Sequence, residues 1–71
     1  MDNIYQSLVT HFGGQIKAAE ALHVDQSTIS GWVRGMHGMS PGTAIRAERA
    51  TEGRFSRRDL CPSFPWDDEA A

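Results

Sequence analysis

The chain has little of what would make it a scaffold, a membrane protein or an enzyme. A single cysteine, Cys61, leaves no internal disulfide to staple the fold, so a reducing compartment is expected and a disulfide framework is excluded. No apolar run approaches the roughly 18 residues that a membrane helix needs. The N-terminal residues show no basic region followed by an apolar stretch, so no secretory signal is expected. No segment alternates apolar and polar side chains over a useful length, which argues against strands. Paired carboxylates in a plausible cleft, a nucleophile beside a base and a phosphate-cradling glycine loop are all missing, and no enzyme is expected. His11, His23 and His37 have no partner at helical metal spacing, and neither a metal nor a cofactor is expected. Cys61 reads as a half-buried structural thiol, with no basic group beside it in sequence to activate it.

Net positive charge is also lacking, and this matters more. The chain totals -2, which weakens any reading that involves a polyanion. The charge is unevenly spread, however. Residues 3 to 58 carry Lys17 and six arginines against Glu20, Asp25, Glu48 and Glu52, or +3, whereas residues 59 to 71 carry four acids and no base, or -4. Phosphate attraction follows the local field and decays within about 8–10 Å at ordinary salt. The balance therefore leaves a nucleic-acid partner open.

What is present is a succession of helix starts and stops in 71 residues, enough for one small domain. Ile4, Leu8 and Phe12, with Tyr5 and Val9, form a stripe at helical spacing that Gly13 and Gly14 end. Gln15 to Leu22 is alanine-rich and reads as a second helix. Asp25 stands at the N-cap of a third, which ends at Gly35. Ser40 followed by Pro41 is a strong start for a fourth, running to about Glu52 before Gly53. Ser56 and Asp59 resemble a capping box with Phe55 and Leu60 as its staple, and Pro62 cuts this short fifth helix off. The sequence predicts an all-α domain over residues 1–62 and an acidic tail over 63–71. In that tail, Phe64, Pro65 and Trp66 either close the core or meet a partner.

The most informative stretch runs from Gln15 to Arg34. Ala19 allows two helices to cross closely. His23 stands where the turn between them needs a left-handed residue, which histidine tolerates. Val24, Ile29 and Trp32 then face inward with Leu22. Gln26, Ser27, Ser30, Gly31 and, one turn later, Arg34 are left facing out. Those types suit base edges: glutamine for adenine, serine for several bases and arginine for guanine. A glycine inside a helix costs about 1 kcal/mol, which makes sense where backbone must approach DNA. Gln15 and Lys17 sit near a helix N-terminus that favours anions. A plain helical hairpin with solvated polar residues is the bland alternative. It accounts less well for the combination of Ala19, His23, Val24, Ile29 and Trp32.

The other charged and sulfur-bearing side chains carry weaker signals. Arg46, Glu48, Arg49 and Glu52 read as a solvated or ion-paired helix face, and Arg57 and Arg58 as phosphate contacts or solvated charges. Met36 and Met39 read as loop contacts or interface fillers.

This pattern resembles the phage Cro repressors. The stretch from Ala44 to Gly53, followed by Arg57, Arg58, Asp59, Leu60, Cys61 and Pro62, is similar to the all-helical Cro and YdaS-type regulators. The resemblance covers about residues 4 to 62. It implies a five-helix, lambda-repressor-like helix-turn-helix domain of phage or prophage type, helical after Ser40 where some Cro proteins have a β-hairpin. It also implies a homodimeric repressor, cytoplasmic and associated with the host nucleoid, that binds a pseudo-palindromic operator through the third helix. The family's base-contacting positions fall on Gln26, Ser27, Ser30 and Gly31, with phosphate contacts at Gln15, Lys17 and Thr28. His23 stands where the family has its turn glycine, and Gly31 lacks a side chain where relatives read a base. A second reading is an antitoxin-like or interaction module that grips a protein through its acidic tail or aromatic end.

Overall fold

The computed structural model describes residues 3–66, and these are all helix, turn and loop. The elements are α1 (Ile4–Phe12), α2 (Gln15–Leu22), α3 (Gln26–Val33), α4 (Pro41–Ala50) and α5 (Arg57–Leu60). Helix α2 packs on α1, α3 and α4, α1 also touches α3, and α5 closes the assembly against α4 and α1. The acids Asp67, Asp68 and Glu69 of the expected tail lie outside the described residues.

Local chemistry sets most of the boundaries. Asn3 caps α1 by accepting from the Gln6 N–H, Ser40 caps α4 by accepting from Thr43, and Ser56 caps α5 by accepting from Asp59. Each bond satisfies a donor that the first turn would otherwise leave orphaned. Asp25 holds the N-cap backbone geometry of α3, but its side chain makes no capping bond. Helix α4 stops at Ala50, two residues before the expected end. Glu52 and Gly53 both turn left-handed there, at φ 54 and 83.

His23 adopts the left-handed conformation that the turn requires, at φ 58 and ψ 44. The Val24 N–H donates to the Ala19 carbonyl at 3.1 Å and the His23 N–H to that of Glu20 at 3.4 Å, which closes α2 in a Schellman turn. A side chain with a Cβ pays for this conformation in strain, roughly 1–2 kcal/mol. His23→Gly is therefore expected to raise stability by about 0.5–1 kcal/mol, after the entropy that glycine costs. A urea midpoint that shifts upward shows this, and an unchanged or lower midpoint contradicts it.

The core is formed by Leu8, Val9, Leu22, Ile29, Trp32, Met39 and Leu60 with the small residues Ala18, Ala19, Ala44 and Ala47. Val24, Phe12 and Phe55 pack against it. Met39 is thus a core residue, whereas Met36 is 69% exposed. Cys61 is fully inside, more deeply than expected. Trp66 also joins the core, with its Nε1 donating to the Cys61 carbonyl at 2.8 Å, and the Phe64 ring packs tilted against it at 4.5 Å between centroids. The packed chain therefore continues past Pro62. The aromatic residues close the interior, which is one of the two roles that the sequence allowed.

Arg46, read as solvated or ion-paired, and Arg57, read as a phosphate contact or a solvated charge, both bond to other parts of the chain. Arg46 donates to the Leu22 carbonyl at 2.7 Å and so caps the end of α2 from α4. Arg57 pairs through Nε with Glu48 at 2.8 Å, its backbone N–H donates to the same carboxylate at 3.2 Å, and its guanidinium lies 5.6 Å from the Trp66 ring centre. The Arg57 side chain, then its backbone N–H, hold the Glu48 carboxyl below its usual 4.5, against a smaller opposing effect of burial. A depressed acid contributes stability that is present above the unfolded value and lost as pH falls through the folded one. Glu48→Gln is therefore expected to cost about 0.5–1 kcal/mol at pH 7, as befits a half-exposed pair. The difference from wild type should vanish as pH falls below 4.5. Denaturant curves from pH 7 down to about pH 3 test this, since a gap that stays constant removes the carboxylate from the account.

Candidate nucleic-acid interface

Helix α3 is held from two sides. Ile29 and Trp32 are buried at 0% and 2% exposure, and Tyr5 lies 5.7 Å from the Trp32 ring. Asn3, besides capping α1, donates through Nδ2 to the Trp32 and Val33 carbonyls at 3.1 and 3.3 Å. One side chain thus joins the start of α1 to the end of α3. Sequence reasoning missed this role, because a capping asparagine carries no mark of what its second nitrogen reaches. Tyr5 is more than a stripe residue. Its hydroxyl donates to the Leu60 carbonyl at 2.6 Å and accepts from the Met39 N–H at 3.4 Å.

With that side buried, helical periodicity sends Ser27, Gly31 and Arg34 to the opposite side. Gln26, Ser27 and Arg34 are exposed, and Thr28 and Ser30 are half-buried. Gln15, Lys17 and Gln26 line one open concavity of about 640 Å³ together with Gly13, Gly14 and Ile16. The Lys17 stem runs past Gly13, where an added Cβ would stand 3.5 Å from its Cδ. The starts of α2 and α3 therefore open onto one place, with two amides and one ammonium around it. Neither helix has a side-chain N-cap bond, so no side chain of the N-cap residue occupies the N–H groups of either first turn.

One expected site residue needs correction. Gly31 was expected to face outward as bare backbone near DNA, but it is buried. The His37 ring lies against it: a Cβ at Gly31 would fall 2.8 Å from Cε1 and 2.9 Å from Cδ2. The missing side chain makes room for that imidazole, so the outer surface at this point belongs to His37. A mid-helix glycine signalled that something passes close by, but not that the close neighbour is the chain itself. Among the described residues no group of three His, Cys, Asp or Glu side chains is close enough to hold a metal ion. None of the described helices is long and apolar enough to cross a membrane.

Two short helices at a left-handed turn, with the second supported from behind and polar in front, define a helix-turn-helix domain. The comparisons with known proteins agree. Residues 5–69 match the family described as bacterial toxin YdaS, and the chain belongs to this Cro-like helix-turn-helix family. It is 60% identical over 67 residues to the regulatory protein cro of Pseudomonas phage D3, across 94% of this chain and 92% of that relative. No solved structure matches it.

Proposed function

We propose that this protein is a phage-type transcriptional repressor that binds a pseudo-palindromic operator as a homodimer, inside the bacterial host cell, with α3 in the major groove. The carrying observation is the convergence of Gln15, Lys17 and Gln26 on one concavity beside the exposed edge of α3. Gln15, Lys17 and Thr28 would meet phosphate, while Gln26, Ser27, Ser30 and Arg34 would meet base edges. Phosphate contacts set position, and base contacts carry specificity. One eight-residue helix reaches few base pairs, so two copies on half-sites about 34 Å apart supply the affinity that one copy lacks. The kinship with a regulatory protein cro supports the same reading. In the interaction-module alternative, the version that uses the aromatic end is disfavoured, because Trp66 is used in the core.

Selection from random duplexes at fixed salt tests the proposal. A two-fold symmetric consensus with half-sites about one helical turn apart is expected. Enrichment of no sequence at low salt would sink it.

A further inference from the structure

Gly31 is the one position on the outward side of α3 with no side chain, yet a side chain from elsewhere occupies its place. Gly35 is left-handed at φ 76. The Gly35 N–H donates to the Trp32 carbonyl at 3.1 Å and the Met36 N–H to the Gly31 carbonyl at 2.9 Å. This Schellman closure reverses the chain and lays His37 back over the helix. The imidazole tip then stands where a Cβ of residue 31 would be, its Nε2 nearest of all. The other nitrogen, Nδ1, lies 3.4 Å from the Gly38 carbonyl. His37 as a whole remains exposed. Ser27 lies one turn before this point on the same helix face and Arg34 one turn after, so the ring sits between two exposed polar side chains.

We propose that His37 is a specificity-determining residue: from the loop after α3, its imidazole serves as the side chain that Gly31 lacks and reads one base pair in each half-site. This rests on the reading of α3 as the groove helix. Nε2 is set into the Gly31 gap. Nδ1, held at only 3.4 Å by the Gly38 carbonyl, is the nitrogen left to exchange that contact for a purine N7 acceptor or, in the other tautomer, a base amino group. The ring is already seated on α3, so little side-chain freedom is left to lose on binding. Gly31 is then a positioning residue, and an alanine there would displace the ring by its methyl group.

The test compares the full chain with His37→Ala, Gly31→Ala and the double variant. Each is measured on the duplex selected by wild type and on a scrambled duplex at the same salt, and each is put through its own selection. His37→Ala is expected to lose about 5- to 20-fold on the selected duplex, with little change on the scrambled one and one base pair per half-site left degenerate. Gly31→Ala should degrade the same base pair, and the double variant should lose no more than His37→Ala alone. Because base preference is read from the molecules that bind, it does not depend on a variant's stability. An unchanged consensus for His37→Ala overturns the inference, as does an equal loss on both duplexes, which would mark a backbone contact. A wild type that selects nothing overturns the groove reading itself, a distinct outcome.

Discussion

Trp32→Ala is expected to leave the domain largely unfolded at physiological temperature. Trp32 is 2% exposed and meets Tyr5 of α1 at 5.7 Å. Removing a buried tryptophan side chain costs about 3–5 kcal/mol, and a domain of this size has roughly 4–10 kcal/mol to lose. At about 4–8 °C per kcal/mol, the melting temperature should fall by tens of degrees. The residue belongs both to the core and to the helix that presents the polar edge, so binding should fail with folding. Trp32→Phe keeps an aromatic ring in the site and should recover much of the loss. Thermal melts followed by circular dichroism measure both variants, and a Trp32→Ala midpoint within a few degrees of wild type would show that the helix does not depend on this contact.

The second large effect concerns DNA. Gln26→Ala should cost about 1–3 kcal/mol on the selected operator, a loss of roughly 5- to 150-fold, and almost nothing on scrambled sequence. Gln26 is exposed at the first turn of α3, and its amide can present a donor and an acceptor together to one base. Lys17→Ala should behave differently, weakening every duplex by a similar factor and reducing the salt slope by about one, as expected for one lost phosphate contact. Titrations at several salt concentrations separate the two. Equal losses of Gln26→Ala on operator and scrambled DNA would remove its base-reading role.

The parts of this fold that were legible in the sequence were those set by neighbours. Ser40 before Pro41, Ser56 before Asp59, the glycines that stop α1 and the left-handed His23 all act within a turn of their own position. Local chemistry therefore settled the number of helices and most of their ends. The spacing of Leu22, Val24, Ile29 and Trp32 likewise indicated which side of the helical pair is buried, because helical periodicity leaves little choice once the turn is fixed.

What escaped depends on residues distant in sequence. Arg46 reaches the end of α2 across 24 positions and Asn3 reaches the end of α3 across 29 and 30. No periodicity announces such contacts. Gly31 illustrates the same limit within a short span. Its missing Cβ was visible, but the left-handed Gly35 that folds His37 back onto it acts only in three dimensions. The end of the chain was ambiguous for a related reason, since Phe64 and Trp66 are as suitable for a core as for a partner. The bond from Trp66 to the Cys61 carbonyl decides for the core.

The central claim is that the outward side of α3 and the adjoining start of α2 form the surface that meets DNA. Backbone amide shifts of the full chain, recorded while the selected duplex is titrated in, test it most directly. The largest changes are expected at Gln15, Lys17, Gln26, Ser27, Ser30, Arg34 and His37, with residues 45–60 nearly unmoved. Changes concentrated on α4 and α5, with α3 unaffected, would contradict it.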